Sequence, residues 1–108
     1  MEVRVTKTSK LELQPYPAWL VLRVTDKGGD PRDLGLAEDL GEGVFRMTVR
    51  PALLEAGSDP SLESVVVHEA VHVVQFLEKY IESELDMESE AYMVQRVFDW
   101  VVGKCPRK

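Results

Sequence analysis

After Ser58-Asp59-Pro60 the chain runs for 17 or more residues without glycine or proline, and its only two histidines, His68 and His72, stand within that run. Strands are usually about 3–10 residues long, so a run of this length reads as a helix. A capping side chain followed by proline at the first helical position supports the same reading. It has to prevail over local preference, because Val65-Val66-Val67, Val71 and Val73-Val74 are β-formers. The choice carries a chemical consequence. On a helix the two imidazoles share one face, with Cβ atoms roughly 5–6 Å apart, and can hold one ion between them. On a strand four residues span about 13 Å, and a shared ion is out of reach.

Placed at about 100° per residue, Ser64, His68, His72, Gln75 and Lys79 form a polar stripe, and Val66, Val67, Ala70, Val73, Val74 and Leu77 make most of the remaining surface apolar. Such a helix belongs at the centre of a domain, with its polar stripe lining something. Glu69 stands beside apolar neighbours, where a carboxylate without a partner is costly. A metal-bound water would answer it. The bland alternative makes His68 and His72 core histidines and pairs Glu69 with an arginine.

His68-Glu69-Ala70-Val71-His72 fits the pattern H-E-x-x-H. Its mechanics are two imidazole ligands to zinc, one turn apart, and a carboxylate acting on the metal-bound water. A catalytic zinc takes a third protein ligand and keeps one position for water. No third histidine exists, so a carboxylate or Cys105 must serve. A second helix is expected from Met87 to Val102, ending before Gly103, with Met87, Ala91, Val94, Phe98 and Val101 as its apolar face. Glu90 lies about 40° from the centre of that face, whereas Glu88 and Asp99 lie about 120° and 140° away. Glu90 is therefore the expected third ligand, with Glu88, Asp86 and Cys105 as alternatives. A regular hairpin would leave Glu90 short of the histidines, so the first helix is expected to stop near Leu77 or Glu78.

The first half of the chain reads as strands at Glu2–Thr6, Ala18–Val24 and Val44–Val49, divided by Gln14-Pro15-Tyr16-Pro17 and by Asp26-Lys27-Gly28-Gly29-Asp30-Pro31. Asp33–Gly43 reads as a loop with a short helical turn. Strands followed by helices predict one α+β domain over residues 1–108, with a small antiparallel sheet of about three strands and two core helices.

The formal charge of -6 arises in the second half: residues 1–50 carry eight basic and eight acidic side chains, residues 51–108 five and eleven. Glu82, Glu84, Asp86, Glu88 and Glu90 crowd into nine residues. A surface of this sign disfavours nucleic acid and anionic lipid as partners. No apolar run reaches the roughly 18 residues of a membrane span, and Met1–Lys10 lacks the layout of a signal peptide, so a cytoplasmic protein is expected. One cysteine allows no internal disulfide. Cys105, just before a basic tail, reads as a frayed terminal thiol, and the sharper alternative has it capping the zinc.

His68-Glu69-x-x-His72, followed after 17 residues by Glu90 within Glu88-Ser89-Glu90-Ala91-Tyr92, resembles the gluzincin metallopeptidases, and in size the stand-alone mini-gluzincins and small phage-type zinc peptidases. The resemblance covers about residues 44–102 and implies a zincin-like domain. It implies zinc on His68, His72 and Glu90, Glu69 as general base and acid, and an edge strand, here Val44–Val49, that holds the substrate backbone. Many gluzincins orient a ligating histidine with an aspartate three or four residues past the third ligand, where this chain has Met93 and Val94. That task would fall to Asp33, Asp39 or a backbone carbonyl. Tyr16, Arg46, Tyr80 and Tyr92 are the candidates for stabilising the oxyanion.

The expected activity is a zinc-dependent peptidase acting on an extended protein or peptide segment, paired with the strand by β-augmentation, with Phe45, Met47 and Val49 turned to the core. The competing expectation is a zinc-stabilised interaction module whose acidic segment is a docking surface.

Overall fold

The computed structural model of the protein describes residues 7–26 and 33–105. Strands β1 (Lys7–Glu12), β2 (Trp19–Val24), β3 (Gly35–Gly41) and β4 (Val44–Val49) form one sheet in the order β1-β2-β4-β3. A single 3-10 turn at Pro51–Leu54 leads to two helices, α1 (Leu62–Ile81) and α2 (Met87–Lys104). The architecture is α+β, as the order of patterns predicts. The sheet differs in having four strands and in being mixed: β1–β2 and β3–β4 are antiparallel, whereas β2–β4 is parallel.

Two of the strands are unexpected: β1 at Lys7–Glu12, and β3, which corrects the reading of Asp33–Gly43 as a loop. Gly35-Leu36-Ala37-Glu38-Asp39 has weak β-propensity, but it pairs along β4 from Gly35 opposite Val49 to Asp39 opposite Phe45. The hairpin closes through Gly41, Glu42 and Gly43, all at positive φ (89°, 57° and 78°), a conformation that glycine takes at little steric cost. The expected strand at Glu2–Thr6 and most of the expected turn after Asp26 lie outside the described residues.

Alternation within β2 and β4 decides what the sheet buries. Leu20, Leu22 and Val24 point to the helices, as do Phe45, Met47 and Val49, in agreement with the expected inward face of β4. Val66, Ala70, Val73, Val74 and Leu77 of α1 meet them. Each fully buried aliphatic or aromatic side chain contributes about 1.5–3 kcal/mol, enough in sum to hold the valine-rich α1 helical against its local preference.

α2 starts at Met87 as expected, whereas the start of α1 and the stops of both helices differ from expectation. The cap of α1 is Ser61, whose hydroxyl accepts from the Ser64 N–H at 3.2 Å, so Pro60 precedes the cap. α1 does not stop near Leu77 or Glu78. Nothing there breaks it, and it runs to Ile81, where Glu82 at φ 54° turns its N–H back to the carbonyls of Glu78 and Lys79. Asp86 caps α2 through the Ser89 N–H at 2.8 Å. α2 continues through Gly103 to Lys104, and Cys105 is not frayed but buried in the core at 6% exposure.

The inward face of α2 is Met93, Val97 and Val101, rotated by about 60° from the expected centre at Val94. Met87 is 88% exposed and Ala91 is exposed, whereas Val94 and Phe98 are half-buried. Arg96 fixes the rotation by donating to the carbonyls of Gln14 (2.8 Å) and Glu12 (2.9 Å), which clamps α2 to the β1–β2 turn. Among the described residues no helix is long and apolar enough to cross a membrane.

Candidate metal centre

His68, Glu69 and His72 lie on the second and third turns of α1, with one ligand atom from each within 4.8 Å of the others. The two rings meet edge to face, their centroids 4.8 Å apart. Helical spacing alone produces this approach, as the sequence predicts. The stripe does not face the core. His68 is exposed, Glu69 and His72 are half-buried, and the flanking Val67 and Val71 are 42% and 40% exposed.

His72 is held on two sides. Its Nδ1 donates to Oε1 of Gln75 at 3.0 Å, which leaves the Nε2 lone pair for a metal. Its ring also stacks on Phe76, with centroids 6.5 Å apart and planes 23° apart. Gln75 thus holds the His72 ring, where Asp33, Asp39 or a backbone carbonyl was expected to do so. Helical reading places Gln75 on the histidine stripe, one turn beyond His72, and that spacing was the available signal. Asp39 is occupied elsewhere, accepting from the Gly41 N–H at 2.9 Å.

The strand beside this centre is β3, which corrects the assignment of the edge strand to Val44–Val49. β4 is an interior strand with β2 on one side and β3 on the other. β3 enters the sheet at Gly35, directly against α1. A Cβ placed on Gly35 would overlap Val65 and come to 3.3 Å from Cγ of Glu69. Gly35, Ser64, Val65, His68 and Glu69, with Asp33, Leu34 and Pro60, line an open depression of about 430 Å³.

Glu90 is not brought into the trio. Its carboxyl lies beside that of Glu78, and the Glu78 charge, the hydrogen bond the pair can make when one is protonated, and the nearby Glu84 charge raise it above its ordinary value. Glu78 also accepts from the Leu85 N–H at 2.9 Å. Because α1 continues to Ile81, the hairpin is regular and Glu90 lies level with Glu78, six residues and roughly 9 Å along the axis from His72. The wheel found the right direction, toward α1, at the wrong height. Asp86 is committed to the α2 cap, Glu88 lines a separate depression with Gln14 and Tyr92, and Cys105 is in the core.

The oxyanion candidates separate as well. Arg46 is on the far face of the sheet, paired with Glu38 at 2.9 Å, and cannot serve the α1 side. Tyr80 packs edge-on against Phe45 above Gly43, and Tyr92 is 65% exposed beside Tyr16. No protein family, curated protein or solved structure matches the chain.

Proposed function

We propose that the chain is a zinc-dependent metallopeptidase of the gluzincin kind, acting in the cytoplasm on extended protein or peptide segments. One observation carries the reading: two imidazoles and a carboxylate converge within 4.8 Å on one helix, beside β3, the outermost strand among the described residues. The donor set suits zinc. Neutral imidazole is a good zinc ligand, and His72 already has its second nitrogen engaged by Gln75, the arrangement that fixes a ligating ring.

His68 and His72 hold the metal, which when bound supplies an acidified water and a pole for the substrate carbonyl. Glu69 takes the proton from the attacking water and returns it to the leaving amine. Substrate backbone pairs along the open edge of β3, entering at Gly35, where the absent side chain lets strand and helix approach. Glu90 is the proposed third ligand of the metal-bound state. To serve, it has to leave Glu78, and its crowding by two other carboxylates favours that exchange for a cation.

A second reading, a metal-stabilised interaction module, is favoured by the outer groove of the helical hairpin. Val67, Ala91, Val94 and Phe98 line a cleft of about 800 Å³ with Glu63 and Glu90 on its walls. Chelator-sensitive cleavage of an unfolded protein substrate by the zinc-loaded chain supports the peptidase. Stoichiometric zinc without cleavage leaves the module.

A further inference from the structure

The face of the sheet turned away from the helices carries a polar constellation that the metal centre does not use. Alternation places Arg23 of β2, Arg46 and Thr48 of β4 and Glu38 of β3 on that side, since Leu22, Val24, Met47 and Val49 point to the core. Arg50 follows in the same register. Arg23, Arg46, Arg50 and Thr48, with Glu38 and Asp33, line a small cavity of about 150 Å³.

Two atoms of its wall have nothing to bond. Nε of Arg23 and Oγ1 of Thr48 are buried without a hydrogen-bond partner, and Thr48 as a residue is only 5% exposed. Buried polar groups in folded proteins are nearly always paired, so two orphans in one cavity call for a common partner. The two neighbouring guanidinium groups already have partners. Glu38 accepts from Nε and Nη2 of Arg46 at 3.1 and 2.9 Å, and Nε of Arg50 donates to the Asp33 carbonyl at 3.2 Å. Among the described residues, three guanidinium groups and two carboxylates line the cavity.

We propose that this cavity binds a single tetrahedral oxoanion of the phosphate class. The unanswered groups can donate: a guanidinium N–H and a hydroxyl, with two further guanidinium groups alongside. The volume equals that of about five waters, which admits one phosphoryl group and excludes a nucleoside. A planar carboxylate is satisfied by one guanidinium fork, whereas a tetrahedral anion has oxygens to offer both strands at once. The acidic excess of the chain does not oppose it, because that excess lies in residues 51–108.

The test is calorimetric titration of the whole chain with inorganic phosphate, O-phosphoserine and acetate at constant ionic strength. Saturable binding of phosphate or O-phosphoserine at one per chain is expected, and the tighter of the two identifies a free anion or a phosphoryl group on a larger molecule as the source. Arg23→Gln and Thr48→Val should each weaken it about tenfold or more. Thr48→Val keeps the side-chain shape and removes an orphaned hydroxyl, so without phosphate it should melt no lower than the wild type; it carries the test if Arg23→Gln does not fold. Heat no greater than a potassium chloride control, acetate binding as tightly as phosphate, or a Thr48→Val chain that binds like the wild type would overturn the proposal.

Discussion

Nδ1 of His72 donates to Oε1 of Gln75 at 3.0 Å, and this bond decides which nitrogen of the ring remains for a metal. A glutamine can do this from the next turn because residues three apart share a helix face. Replacement by leucine keeps the helix and removes the acceptor. Gln75→Leu is expected to weaken zinc binding about 10- to 100-fold with little change in melting temperature, measured by competition with a chelating dye. Unchanged affinity would remove Gln75 from the centre.

Gly35 is the tightest point between sheet and candidate site. Any Cβ there overlaps Val65 and presses on Glu69. Gly35→Ala should destabilise the chain by about 1–3 kcal/mol in urea and lower cleavage further than the stability loss explains, because it displaces the start of the edge strand. Full activity in this variant would argue that substrate does not run along β3.

Two acids near the start of α2 shift stability in opposite directions with pH. The charge of Glu78 and its hydrogen bond raise Glu90 above its ordinary 4.5, so the folded chain holds that proton more tightly than the unfolded chain. That contribution is complete below the unfolded value and is lost as pH rises through the folded one. Asp86 is lowered from 3.8, by the Ser89 backbone N–H first and then by the Ser89 hydroxyl. Its contribution is present above the unfolded value and is lost as pH falls through the folded one. For the metal-free chain, Glu90→Gln should raise the melting temperature near neutral pH and flatten the upper limb of its pH profile. Asp86→Ala should lower it near neutral pH, with the difference closing in acid.

The convergence of His68, Glu69 and His72 was legible because a helix fixes the relation of positions four apart whatever surrounds it. The inward faces of β2 and β4 were legible for a similar reason, since Leu20, Leu22, Phe45 and Met47 alternate clearly. What could not be read depended on partners distant in sequence. Gly35–Gly41 becomes a strand through its ladder with β4, not through its own residues. The height of Glu90 follows from α1 persisting to Ile81 through a left-handed cap at Glu82, where no glycine marks the stop. The rotation of α2 follows from Arg96 reaching carbonyls more than eighty residues earlier in the chain. Gln75 was visible in the stripe, but its role needed the side-chain orientation.

Recruitment of Glu90 by zinc has a structural signature. If Glu90 leaves Glu78 for the metal, the repulsion between the two carboxylates at the end of α1 is relieved, while Glu78 keeps the Leu85 N–H. Amide exchange in Glu78–Ile81 is expected to slow on zinc binding, together with that in Val66–Val74. Zinc binding that leaves Glu78–Ile81 unchanged would show that Glu90 stays where it is.

The most direct measurement compares the wild type with Glu69→Gln, each loaded with zinc, by metal analysis and by cleavage of an unfolded protein substrate. One zinc per chain in both, with cleavage by Glu69→Gln lower by at least about a hundredfold, is the predicted result. Equal cleavage by the two proteins, or no cleavage by zinc-loaded wild type, would contradict the assignment of Glu69 as the proton-transferring group of a peptidase.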